Sequence, residues 1–129
     1  MQSLNADYLL GKWNLVSFKV EYWGMKFNWG KNAAGWIAYD KDGKMGVEIK
    51  AEKSMLPYTA NLMFNNILSY GGSYKIQGNL VIHHLEFSSK KAWIGTDLVR
   101  EVLQLDEKNL VLHGGSRSFG YTLAWAKSN

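Results

Sequence analysis

The sequence predicts an all-β protein: one closed antiparallel barrel of about eight strands in up-and-down order, with a short helical or irregular lid segment. Three observations predict it. Thirteen glycines and a single proline punctuate short runs rich in Val, Ile, Tyr, Phe and Trp, the pattern of strands separated by tight turns. Turn signals such as Asp42-Gly43 and Gln77-Gly78-Asn79 fall between consecutive runs, so neighbours in sequence pair as hairpins. The total is about eight strands, enough to close a sheet around packed side chains or one small ligand, and closure removes edges that this chain has no evident means of guarding.

The elements follow in order. Tyr8-Leu9-Leu10 reads as a short helical turn that plugs the barrel end. Gly11–Tyr22 is a long first strand whose apolar phase runs through Trp13 and Leu15 and then switches to Val16, Phe18, Val20 and Tyr22. Such a switch marks a bulge or bend, by which one strand serves two parts of a barrel. Tyr22–Trp36 reads as a loop holding Tyr22, Trp23, Met25, Phe27, Trp29 and Trp36. Gly35–Asp40 and Met45–Ile49 form a hairpin; Met45, Val47 and Ile49 share a dry face and Lys44, Glu48 and Lys50 a wet one. Residues 51–66 break the period of two, and Leu62, Met63 and Phe64 belong to a short helix or an irregular lid.

Leu68–Ile76 and Leu80–Phe87 form the next hairpin, with Tyr70, Tyr74 and Ile76 on one face and Gly71-Gly72 as a bulge or tight bend. Thr96–Leu105 and Leu110–His113 form the third, around the turn Asp106–Asn109. Both phases of Val102-Leu103-Gln104-Leu105 hold apolar residues, so the inward face is free to switch there. Phe119–Trp125 closes the series, with Phe119, Tyr121, Leu123 and Trp125 in phase.

Composition excludes several classes of function. The 129 residues fit one domain, 1–129, large enough for a core without staples. There is no cysteine, hence no disulfide, no thiolate chemistry and no cysteine-type zinc site. The net charge of +4 is spread evenly: residues 1–60 carry eight Lys against six acids, and residues 61–129 seven Lys or Arg against five. That is an ordinary solvated surface and not a nucleic-acid footprint. No apolar run approaches the roughly 20 residues of a membrane span, and the first residues have no basic and apolar leader pattern; a soluble, cytoplasmic protein is expected.

Several stretches together resemble the bacterial lipocalin-like domain family, part of the calycin group. They are Gly11-Lys-Trp-Asn-Leu-Val-Ser-Phe18, with its G-x-W opening, Gly35-Trp-Ile-Ala-Tyr39 with Asp42-Gly43, and Tyr70-Gly-Gly-Ser-Tyr74. His83-His84, Trp93-Ile-Gly95-Thr96 with Arg100, and Leu123-Ala-Trp125 complete the pattern, over roughly residues 9–127. The 51–66 segment departs from it, being short, with the single Pro57, where such relatives often carry a longer loop and helix. The resemblance implies that Gly11 and Trp13 are architectural, with Trp13 across the closed barrel end and a basic side chain on its indole face. That partner is Lys127, or alternatively Arg117.

Candidate site residues come from the strand phases. His83 and His84 are adjacent, so they face opposite ways and cannot chelate one metal. His83, in phase with Val81, Leu85 and Phe87, is the inward one: either a core histidine with a hydrogen-bonded neighbour, or a group that orients a ligand or moves a proton. Arg100 is in phase with Thr96, Leu98 and Val102. On an apolar face it is costly unless paired, so it either pairs internally or holds a carboxylate or enolate. Tyr70, Tyr74 and Tyr121 are hydroxyl donors for the same cavity. Trp36, with the aromatic loop and the flexible Met25, Met55 and Met63, suits a pocket rim; loop packing and a homodimer contact are the other readings. Gly35, Ala38, Gly46, Gly72 and Ala124 lie on strands, and those facing inward leave volume.

The histidines lack metal-ligand spacing, and only an approach of His113 to His83 across strands leaves room for a metal. No metal and no cofactor is expected, and no P-loop, dinucleotide or G-x-S-x-G motif is present. The expected function is binding of a small, largely apolar molecule, acidic or enolic at one end. The alternative, by fold analogy, is a cofactor-free cyclase or isomerase acting on a polyketide- or terpenoid-like substrate in the same cavity. A dimerisation module built on the Trp-rich surface is the third reading.

Overall fold

The computed structural model describes residues 4–28, 34–50, 67–115 and 119–128. After a helical turn α1 (Ala6–Leu9) come nine strands: β1 (Gly11–Tyr22), β2 (Met25–Asn28), β3 (Ala34–Tyr39), β4 (Lys44–Lys50), β5 (Ile67–Gln77), β6 (Leu80–Ser88), β7 (Asp97–Leu105), β8 (Asn109–Gly115) and β9 (Phe119–Lys127). A 3-10 turn, Lys91–Trp93, joins β6 to β7. Consecutive strands from β3 to β9 pair antiparallel, β1 pairs with β3, and β1–β9 pairing closes the barrel. Eight strands form the wall and β2 is an addition.

The long first strand explains how β2 fits. Residues Gly11–Asn14 pair with β3, and Lys19–Tyr22 pair with β2. The expected bulge is Val16, skipped in the register with β9 between Leu15 and Ser17 and left 65% exposed. It moves the inward phase from Trp13 and Leu15 to Phe18 and Val20. Leu103 does the same in β7, where the register with β8 shifts between Val102 and Gln104 and Leu103 is turned out to solvent. In the β5–β6 pair the shift falls at Gly71/Gly72, opposite Phe87 and Leu85.

The aromatic segment after β1 departs from expectation: part of it is a hairpin, not a loop. Tyr22 pairs with Met25 around Trp23-Gly24, and both turn residues have positive φ, 51° and 83°. Trp23 and Met25 stand exposed. Trp29, Met55, Met63, Arg117 and the 51–66 segment expected as a lid lie outside the described residues.

One end of the barrel is sealed. The Asn5 side chain caps α1 by accepting from the Asp7 N–H at 3.0 Å, and Leu9 is fully buried. Trp13, also fully buried, donates from Nε1 to the Leu9 carbonyl at 2.9 Å. The Lys127 ammonium sits 4.4 Å over the Trp13 ring and donates to the Leu10 carbonyl. Partial burial there holds the Lys127 pKa below its usual range. Strand, helical turn and C-terminal strand are thereby tied at one point. Among the described residues no helix is long and apolar enough to cross a membrane.

Candidate functional site

The interior holds a partly enclosed cavity. About 360 Å³ is unfilled out to its mouth, within which the centre of a water molecule has about 20 Å³ to move in. The space is therefore narrow, yet above the roughly 10–15 Å³ that one water needs. Its apolar wall includes Phe18, Ile37, Val47, Ile49, Leu68 and Leu123. Tyr70, His83, Arg100 and Tyr121 bring polar groups to it, and Trp125 an indole.

Strand alternation delivers these groups. His83 follows two buried residues on β6 and is itself fully buried. Its two ring nitrogens are taken by tyrosines: Nε2 lies 2.7 Å from the Tyr39 hydroxyl and Nδ1 2.9 Å from the Tyr70 hydroxyl. Burial, and then the nearby Arg100 charge, hold the His83 pKa well below its usual value, so the ring is neutral at pH 7 and has one donor and one acceptor nitrogen. Burial likewise raises Tyr39 and Tyr70 above the usual phenol range, with Arg100 opposing the rise. One tyrosine therefore donates to the ring and the other accepts from it.

Arg100 is 93% buried. Its Cζ lies 4.9 Å over the Tyr121 ring, and its Nη1 is 3.4 Å from the Val99 carbonyl. No carboxylate pairs with it among the described residues. Gly114 makes the room: a Cβ there would lie 2.8 Å from Arg100 Nη1 and 3.0 Å from a Tyr121 ring carbon. The Trp125 Nε1 is buried with no hydrogen-bond partner among the described residues.

The structure thus brings His83, Arg100, Tyr70 and Tyr121 together, and not the other two candidates. Trp36 lies on the outer face, because the cavity phase of β3 is that of Ile37 and Tyr39; its ring rests 3.4 Å from where a Gly46 side chain would begin, with the Lys12 ammonium 5.7 Å from its centroid. Tyr74 packs edge-on to Tyr39 at 4.8 Å and donates its hydroxyl to the Asp40 carbonyl at 2.6 Å, which ties β5 to the β3–β4 turn. Ala38, Gly46 and Ala124 also face outward, whereas Gly72 is buried.

His113 alternates outward between the buried Leu112 and Gly114, away from His83. Among the described residues no cluster of three or more metal-ligating side chains exists. His84 is on the outer face, 2.7 Å from Asp97. Sequence reasoning missed Tyr39, Gly114 and the unpartnered indole of Trp125. The phase of Ile37 pointed to Tyr39, but nothing in the sequence marked the other two.

The sequence matches the lipocalin-like domain family over residues 10–128. Similar solved structures include a lipocalin-like protein from Bacteroides uniformis, at 16% identity and TM-score 0.56, covering 94% of this chain and 99% of that one. An uncharacterized protein from Bacteroides eggerthii follows at 13% and 0.53, covering 93% and 99%. A redesigned β-barrel matches at 10% and 0.52, covering 99% and 100%. No curated protein matches. At these identities the structures bear on the fold alone, and the family match carries the assignment: the chain belongs to the lipocalin-like domain family.

Proposed function

We propose that the barrel cavity binds a small, largely apolar molecule with an anionic head, a carboxylate or enolate, held by Arg100. One observation carries the reading: an arginine 93% buried beside an apolar cavity with no carboxylate partner among the described residues. A buried cation without a counter-charge is strongly unfavourable, and an anion entering the cavity supplies one in bidentate geometry. Tyr70 and Tyr121 flank that position, and the aliphatic and phenyl wall takes the rest of the ligand.

The test is titration calorimetry with 2-naphthoate and its methyl ester. Wild type is expected to bind the acid in the micromolar range and at least tenfold tighter than the ester. Arg100→Met should keep the fold and erase that preference. Equal loss of acid and ester would make Arg100 a structural residue only. Catalysis of isomerisation or cyclisation in the same cavity is the second reading. It is favoured by the hydrogen-bonded row Tyr70, His83, Tyr39 beside the Arg100 charge. Both His83 nitrogens are engaged by tyrosines, so the hydroxyl that faces a ligand in that row is Tyr70 and not the imidazole.

A further inference from the structure

The binding reading concerns one polar group of the cavity, and a second has no use in it. Trp125 Nε1 is a donor only. It is buried in a residue that lines the cavity, and it has no partner among the described residues. Native proteins leave very few buried donors unsatisfied, and each one calls for an explanation. The other indole of this interior, Trp13, follows the rule, bonded to Leu9 at the sealed end. Trp125 stands four residues along β9 from Tyr121, on the same inward-facing phase. Four residues of strand span roughly 13 Å between Cα atoms. The Arg100 guanidinium lies on Tyr121, so two donors sit at separate points along one wall.

We propose that the ligand is a compact carboxylate or enolate that carries a second hydrogen-bond acceptor, an oxo or hydroxyl oxygen on a rigid apolar frame, received by the Trp125 indole N–H. This rests on the binding reading and narrows it. Two separated donors do not match a fatty acid, whose polar atoms are all at one end. The cavity is narrow, with about 20 Å³ for the centre of a water molecule, so a compact ligand suits it better than a long chain and must still part the side chains of the wall. The groups between the two donors, Phe18 and Leu123, are apolar, so the frame between the ligand's polar ends should be apolar too.

The experiment uses an isosteric pair, 6-acetyl-2-naphthoate and 6-isopropenyl-2-naphthoate, in which a carbonyl oxygen is exchanged for a methylene. On wild type the acetyl compound is expected to bind about fivefold tighter, the range of one neutral hydrogen bond. On Trp125→Phe, which keeps an aromatic ring and removes the N–H, the difference should fall below twofold. The Trp125 indole proton should move downfield in wild type on adding the acetyl compound and stay in place with the isopropenyl compound. Should Trp125→Phe fail to fold, the wild-type pair and the indole resonance decide. Equal affinities on wild type, with 2-naphthoate still preferred over its methyl ester, would overturn this inference and leave the binding reading standing. No acid preference in any of the compounds would remove both. A crystal structure of the complex with only an ordered water on Trp125 Nε1 would also overturn it.

Discussion

Gly114→Ala separates the placement of the guanidinium from the stability of the barrel. A Cβ at this position would come within 2.8 Å of Arg100 Nη1 and within 3.0 and 3.2 Å of two Tyr121 ring carbons. Ordinary carbon contacts are about 3.5–4.0 Å, so something must give by several tenths of an ångström or more. The guanidinium is the end of a long flexible side chain, whereas the Tyr121 ring is packed at 6.2 Å from Phe18, so Arg100 is the group that moves. Overpacking of this kind costs about 1–3 kcal/mol, with the low end apt because one partner can swing away. The φ of Gly114 is not positive, so alanine is unstrained and recovers about 0.4–1 kcal/mol through the unfolded chain. The net loss is therefore expected to be about 0.6 kcal/mol or less in urea unfolding. The anion site should suffer far more: binding of 2-naphthoate should weaken about tenfold, one bidentate contact being lost at roughly 1.5–3 kcal/mol, while the methyl ester changes less than twofold. If the variant folds and the acid keeps its affinity, the Gly114 gap does not place the guanidinium. A destabilisation above about 3 kcal/mol would show instead that Tyr121, not Arg100, meets the new methyl group.

Four further outcomes follow from the same geometry. Trp13→Ala should cost about 3–5 kcal/mol in chemical denaturation, as for a large buried aromatic, and a cost under about 1 kcal/mol would deny its role at the sealed end. Lys127→Met should cost about 1–2 kcal/mol through the lost cation–π contact and the carbonyl bond, with less effect at the opposite end of the barrel, as read by hydrogen exchange of α1 against the β1–β2 hairpin. Tyr39→Phe strands a His83 nitrogen and should cost about 1–3 kcal/mol, checked by urea midpoint. His83 has its folded pKa held below the unfolded value near 6.5, so below pH 6.5 the unfolded chain binds a proton that the folded one refuses. Its contribution is intact above that pH and is lost at up to about 1.4 kcal/mol per pH unit as pH falls toward the folded pKa; His83→Gln should flatten the stability profile between pH 7 and pH 5, and an unchanged slope would reject the assignment.

Much of the wall was legible because strand phase is a local signal. The switch after Leu15 marks the Val16 bulge, the doubled apolar phase of Val102–Leu105 marks the outward Leu103, and Gly71-Gly72 marks the β5–β6 shift. The hairpin β1–β2 was not legible, because a turn with two positive φ values favours Asn-Gly and here holds Trp23-Gly24. Trp36 reads as a rim residue as the end of the aromatic segment Tyr22–Trp36, and strand phase offers no correction, since Trp36, Ile37, Ala38 and Tyr39 are apolar in both phases and a period of two cannot choose between faces when neither is polar. The Tyr39–His83 bond joins residues 44 apart, and Gly114 matters only because two other strands aim Arg100 and Tyr121 at it. Such facts belong to the register of a closed barrel, and no window of sequence contains them.

The distribution of polarity gives the site its direction. An eight-stranded barrel can fill its interior with side chains, and apolar ones would serve stability best; exchanging a buried charge for a well-packed apolar group is often neutral or stabilising. Among the described residues this barrel instead keeps Arg100 without a carboxylate, Trp125 Nε1 without an acceptor, and a neutral imidazole spanned by two phenols. Tyr70, His83, Arg100 and Trp125 come from β5, β6, β7 and β9 and Tyr39 from β3, while β1, β3 and β4 line the cavity with Phe18, Ile37, Val47 and Ile49. The polar groups are interleaved with Leu68 and Leu123 on one side of the cavity, and the lining from β1, β3 and β4 is hydrocarbon. A symmetric apolar ligand would leave the donors unpaired, and a uniformly polar one would lose its water to the hydrocarbon side without replacement. A molecule that satisfied both would carry its polar atoms apart on an apolar frame, and would enter in one orientation.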